Sequence, residues 1–214
     1  MKIDHLRRDY RHARLSRKDL PEDPMVLFQN WLSNAIEAQL CEPNAMVLGT
    51  RDNKDTIRLR NVLLKGIDNY SFIFYTNYES GKAEAINHYP RVSLLFSWLD
   101  LERQVEIQGV AKKAERKYSE QYFHSRPRKS QIGAWVSQQS SIISSREVLE
   151  NKTFEIEESF KGKDVPLPDF WGGYRVSPLS IEFWQGRESR LHDRFLYQRI
   201  SLEESNWKVN RLSP

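Results

Sequence analysis

Apolar and polar positions follow two different rhythms along this chain of 214 residues. Phe28, Trp31, Leu32, Ala35 and Ile36 recur at helical spacing behind Asp23-Pro24, a capping residue and a proline suited to a first helical turn. A helix is therefore predicted from there to about Leu40. The period then drops to two. AMVLGT (45–50) and TIRLRNVLLK (56–65) flank Asp52-Asn53 as a hairpin, and SFIFYT (71–76) follows as a third strand. Ser80 can cap a short helix that Pro90 stops. RVSLLFSW (91–98) and RQVEIQGVAKKA (103–114) form a second strand pair. Helical spacing returns over 115–125, from Pro127 to Val136, and from about Ser145 with Leu149, Thr153, Ile156 and Phe160 on one face. Pro166, Pro168, Gly172 and Gly173 predict a loop. Strands over 181–184, 193–199 and 207–212 end the chain. Hairpin-linked strands with helices inserted between them predict a mainly β protein with helical insertions, an antiparallel barrel rather than a parallel α/β sheet.

Composition narrows this picture only a little. Hydrophobic content of 39% and charged content of 29% suit a globular protein. No apolar run approaches a membrane span, and MKIDHLRRDY lacks a signal-peptide core, so a cytoplasmic protein without membrane contact is expected. One cysteine and five scattered histidines offer no metal-ligand spacing, so no metal site is expected. The net charge is +4, with basic residues dense before Asp19 and scattered afterwards. Residues 1–19 are predicted to form a basic, flexible arm and 20–214 a single domain. Scattered cations suit small phosphate contacts better than a nucleic-acid track. A Rossmann glycine fingerprint is absent, and Thr76 and Ala83 spoil the faint P-loop likeness around Ser80-Gly81-Lys82.

Four stretches carry candidate chemistry. Arg60 and Lys65 project to opposite sides of a regular strand, and Arg58 reads as an edge charge. Tyr75-Thr76 with Lys82 sets a hydroxyl and an ammonium at a helix start, a plausible dianion site. Gln104 is expected to point inward, and a solvated glutamine is as good a reading of the residues alone. Tyr122 and Arg126 share a helix face, with Ser130 just past Pro127; a capped helix junction or a phosphate monoester site would both suit them. In IEFWQGRESRLHDR (181–194), Trp184 alone would be an ordinary core aromatic. If the end of that run is extended, Arg190, His192 and Arg194 share a face, repel one another and depress the imidazole until an anion joins them.

That last run resembles the signature of the pyridoxamine/pyridoxine 5′-phosphate oxidase family at all of its fixed positions: apolar, Glu, large, Trp, Gln, four free residues, then Arg, apolar, His, Asp, Arg. The resemblance extends along nearly the whole chain. It implies a homodimeric split β-barrel that binds flavin mononucleotide (FMN) at its interface. It further implies oxidation of pyridoxine or pyridoxamine 5′-phosphate to pyridoxal 5′-phosphate, with dioxygen as acceptor and release of hydrogen peroxide, plus ammonia from the amine. FMN is implied at Arg60, Asn61, Val62, Leu63, Leu64, Lys65, Tyr75, Thr76, Lys82, Gln104, Gln139, Ser140, Trp184 and Arg194. Substrate is implied at Arg7, Arg8, Asp9, Tyr10, Lys65, Tyr122, Arg126, Ser130, Arg190, Leu191 and His192, with Arg190 and His192 the catalytic pair. Either of that pair could accept the substrate's proton. The family pattern has Arg where this chain has Gly81, which predicts weaker flavin binding. Rival readings are another split-barrel flavoprotein, or a barrel with a basic arm that binds nucleic acid and would purify colourless.

Overall fold

The computed structural model describes residues 1–3, 5, 9–11 and 13–214. Helix α1 (Pro24–Glu37) starts where Asp23 Oδ1 accepts the Met25 N–H at 2.8 Å, with Pro24 in the first turn. Phe28, Trp31 and Ala35 are buried, whereas Ile36 is exposed at the margin of the stripe. The helix stops before Leu40 because Gln39 turns left-handed, with φ 53°.

Among the described residues nine strands build one antiparallel sheet: β1 (Ala45–Arg51), β2 (Ile57–Leu63), β3 (Gly66–Asp68), β4 (Ser71–Asn77), β5 (Arg91–Trp98), β6 (Arg103–Lys113), β7 (Trp171–Gln185), β8 (Asp193–Gln198) and β9 (Lys208–Leu212). The order is β2-β1-β5-β6-β7-β4-β3, and the sheet forks along β7. The first part of β7 pairs with β4 and the second with β8, while β6 pairs with it from Tyr174 to Gln185. Helices are inserted as expected: α2 (Gly81–His88), α3 (Arg116–Ser125), α4 (Arg128–Val136) and α5 (Glu147–Ser159).

The inward faces of the strands meet α1 in one apolar core. Phe28 packs edge-on against Phe72 and Phe96, each with centroids 4.9 Å apart, and all three are fully buried. A second cluster, including Phe123, Ile132, Val165 and Trp171, fixes α3 and α4 to the start of β7.

Three expectations need correction. Residues 171–180 are strand, not loop. Gly172 and Gly173 belong to β7 because Tyr78, Ser119 and the Tyr75 ring fill the space a Cβ would take. Pro178 is accommodated at a β-bulge opposite Gly109. The strand through 56–65 is not regular to its end: Leu64 N–H bonds Asn44 O, and Lys65 N–H crosses to Ile73 O on β4. Finally, the arm is joined to the barrel by its second half. Leu15 is 4% exposed, and Arg17–Asp19 forms a short 3-10 turn.

Candidate active site

The strand crossover at Lys65, the end of β4 and the start of α2 converge on a cleft of about 310 Å3. Asn61, Val62, Leu63, Lys65, Tyr75, Thr76, Lys82, Tyr122, Arg126 and Gln139 line it, together with Asn77 and Trp171. Three cations, Lys65, Lys82 and Arg126, face this space, and no carboxylate is among the lining residues.

Lys82 Nζ bonds neutral acceptors: Thr76 Oγ1 at 3.0 Å, Ser80 Oγ at 3.1 Å, and Gln139 Oε1. Burial first, and the Arg60 guanidinium second, push its pKa down to about 8. Arg60 stands behind the cleft wall, donating to Leu48 O at 3.1 Å and Thr50 Oγ1 at 2.7 Å. Ser140 Oγ accepts the N–H of Gly81 at 3.2 Å, which brings the 137–146 loop against the start of α2.

On the other side, Tyr75 and Tyr122 stack at 4.0 Å, and Trp171 extends the stack at 5.5 Å from Tyr75. Arg126 lies over the Trp171 ring at 4.6 Å, and its Nη1 is buried without a hydrogen-bond partner. A buried guanidinium nitrogen left unpaired is costly. Among the described residues Lys65, Lys82 and Arg126 form no ion pair, and three such cations around one cleft fit phosphate groups, and therefore the phosphate end of FMN.

Leu64 and Ser130, like Arg60 and Ser140, do not line this cleft. Leu64 is 5% exposed within the core, because the chain turns between β2 and Lys65 and carries its side chain inward. Ser130 sits in the first turn of α4 beside the junction with α3.

A second group lies on the outer face of the barrel. Val105 and Ile107 are fully buried, so Gln104 lies on the opposite, outer face, the second of its two sequence readings. Across four strands Ser97, Gln104, Trp184 and Arg194 form one row. Arg194 is held by Glu182 through Nε–Oε1 at 2.7 Å and Nη2–Oε2 at 3.1 Å, which raises its pKa.

Arg190 and Leu191 are not extended. Ser189 and Arg190 are both left-handed, with φ 56° and 61°, and strand β8 begins only at Asp193. Arg190 and Arg194 nevertheless both depress His192, although burial is the larger cause. Tyr10 packs against Trp184 and His192, each at 5.8 Å. Arg11 pairs with Glu188 at 2.9 Å and with Asp9 at 3.5 Å. Arg7 and Arg8 lie outside the described residues.

Asn77 and Trp171 escaped the sequence reading. Asn77 had a signal, an Asn just before a helix, and its Oδ1 does accept the Glu79 N–H in a tight local turn. Trp171 was hidden in the supposed loop.

Fold and cleft together define a forked antiparallel barrel with a cation-lined cleft. Residues 32–160 match the family model for pyridoxamine 5′-phosphate oxidase, and residues 171–214 match that for the pyridoxine 5′-phosphate oxidase C-terminal dimerisation region. The chain is 56% identical over 212 residues to a pyridoxine/pyridoxamine 5′-phosphate oxidase of Escherichia coli O1:K1, covering 99% of this chain and 96% of that one. It is 55% identical, over the same shares, to that of Escherichia fergusonii. Among solved structures, PhzG from Burkholderia lata in complex with tetrahydrophenazine-1-carboxylic acid superposes with TM-score 0.85 at 29% identity, over 92% of this chain and 95% of that one. The chain belongs to the pyridoxine/pyridoxamine 5′-phosphate oxidase family.

Among the described residues no helix is long and apolar enough to cross a membrane.

Proposed function

We infer that the protein oxidises pyridoxine 5′-phosphate and pyridoxamine 5′-phosphate to pyridoxal 5′-phosphate, with FMN as cofactor and dioxygen as acceptor. The observation that carries this reading is the single cleft uniting Thr76, Lys82 and Gln139 with Lys65, Tyr122 and Arg126, free of carboxylates. Two phosphates, one from cofactor and one from substrate, satisfy it.

Thr76, Lys82, Gln139 and Ser140, backed by Arg60, hold the flavin phosphate. Lys65, Tyr122 and Arg126, with Ser130 at the helix start, hold the substrate phosphate. FMN, when bound, would supply the acceptor for the hydride equivalent leaving the substrate's 4′ carbon, and dioxygen with two protons would take those electrons on as hydrogen peroxide. Clamping the substrate at its phosphate, away from the reacting carbon, fixes its orientation, from which much of the rate follows. Gln104, Trp184 and Arg194 contact the flavin ring, and Arg190 and His192 orient the alcohol or amine. Tyr10, resting on Trp184 and His192, closes the arm over the substrate.

The protein acts as a homodimer in this reading. Trp184, Arg190, His192 and Arg194 all fall within the matched dimerisation region, while most of the cleft wall comes from the other matched region. A second copy brings its row to this cleft.

The test is oxygen uptake by flavin-loaded protein with pyridoxine 5′-phosphate and with unphosphorylated pyridoxine. The phosphorylated substrate is expected to turn over with kcat/KM at least about 100-fold higher, as befits loss of charge-assisted hydrogen bonds. Equal rates would overturn the phosphate clamp, and no uptake with either would overturn the oxidase.

A further inference from the structure

His192 has a partner whose direction is unambiguous. The backbone N–H of Arg187 lies 3.1 Å from its Nδ1. A peptide N–H only donates, so Nδ1 must accept, and a neutral imidazole that accepts at Nδ1 carries its proton on Nε2.

The surroundings hold this arrangement in place. The two consecutive left-handed residues Ser189 and Arg190 curl the loop so that Arg187 faces back towards His192. The Arg187 guanidinium donates to Ala13 O at 3.3 Å and lies 3.6 Å from Asp193 Oδ2. Asp193 in turn accepts the Leu15 N–H at 3.2 Å and pairs with Arg211. The imidazole itself is wedged between Trp184, 4.5 Å away, and Tyr10.

We propose that His192 offers Nε2–H to the substrate as a hydrogen-bond donor and does not take its proton, and that Arg187 is the positioning residue that sets this tautomer. The role toward substrate rests on the oxidase reading above; the tautomer does not. The imidazole pKa is held below its ordinary value by burial, Arg190 and Arg194, which favours the neutral ring.

The tautomer is read from the side-chain nitrogen resonances of 15N-labelled, flavin-loaded protein, with His192 assigned by the signals lost in His192→Gln. An unprotonated Nδ1 and a protonated Nε2 are expected, and the reverse pattern would overturn the proposal. Gln keeps an N–H donor near the ε position but cannot act as a base. His192→Gln should therefore lose no more than about tenfold in kcat, the scale of one altered hydrogen bond. His192→Asn, which reaches only the δ position, should fall further. A base would instead cost about 10²–10⁴-fold in both variants, and that result would refute the donor role. Arg187→Ala keeps the donating N–H but loses the guanidinium contacts to Ala13 O and Asp193 that hold it in place, so it should mix the two tautomers and raise KM, with Arg187→Lys restoring both. An unmixed tautomer in Arg187→Ala would remove Arg187 from the account. Wild-type protein without oxidase activity would defeat the functional reading alone, since the resonances are measured without turnover.

Discussion

Replacing Gly81 by Arg should tighten flavin binding. Gly81 opens α2, and its N–H donates to Ser140 Oγ at 3.2 Å. A Cβ built there meets only Ser140, at 3.8 and 4.0 Å, which is ordinary contact, and the backbone is not left-handed. An arginine can therefore enter without moving the chain, next to Lys82, Thr76 and Gln139. In the proposed cofactor site it adds one charge-assisted hydrogen bond to the flavin phosphate, worth about 1.5–3 kcal/mol, or roughly ten- to 150-fold in Kd. Repulsion from Lys82 and Arg60 in the flavin-free protein reduces this, so a gain of about tenfold is the working expectation. Fluorescence titration of FMN into deflavinated protein, in phosphate-free buffer, measures it directly. Gly81→Ala is the control for any gain in helix propensity alone. If Gly81→Arg binds no more tightly than Gly81→Ala, the phosphate is not where this reasoning puts it.

Other expectations follow from the same geometry. Flavin affinity should weaken as pH rises through about 8, because the flavin-free protein loses the Lys82 proton there and binding must take it back; titrations from pH 7 to 9.5 would show proton uptake on binding, and a flat profile would exclude Lys82. Arg126→Met should raise KM for the phosphorylated substrate about 10- to 100-fold while leaving flavin content intact, as steady-state kinetics beside flavin absorbance would reveal. Arg190→Met should lower turnover far more than flavin content, and equal losses would move Arg190 to the cofactor site. Gly109→Ala should cost about 1–3 kcal/mol in denaturant unfolding, since the new methyl would press on the backbone of Ser177 and Pro178 at the bulge, where no side chain can swing away.

Local patterns in the chain carried most of this architecture. The Asp23-Pro24 start of α1, the β1–β2 hairpin and the β5–β6 pair were legible because capping, turn chemistry and alternation act within a few residues. The signature and the Lys65, Lys82 and Arg126 groups were legible as a resemblance, and one cleft does unite those three cations. What escaped depends on distant neighbours. Gly172 and Gly173 read as a turn, yet they are strand residues because Tyr78, Ser119 and Tyr75 crowd them. Gln104 was left with two readings, since alternation along β6 fixes two faces without saying which one meets α1 and the core. The left-handed pair Ser189-Arg190 has no glycine or asparagine to betray it, so the run to Arg194 looked extended. Leu15 and Tyr10 sit among basic residues, and only the barrel surface they cover explains their packing.

Anaerobic titration of flavin-loaded protein with pyridoxine 5′-phosphate, followed in the visible flavin band, tests the central claim most directly. The account predicts stoichiometric bleaching, formation of pyridoxal 5′-phosphate, and recovery of the band when air is admitted. A flavin that binds but does not bleach would contradict the substrate, and a protein that takes up no flavin would contradict the cofactor site itself.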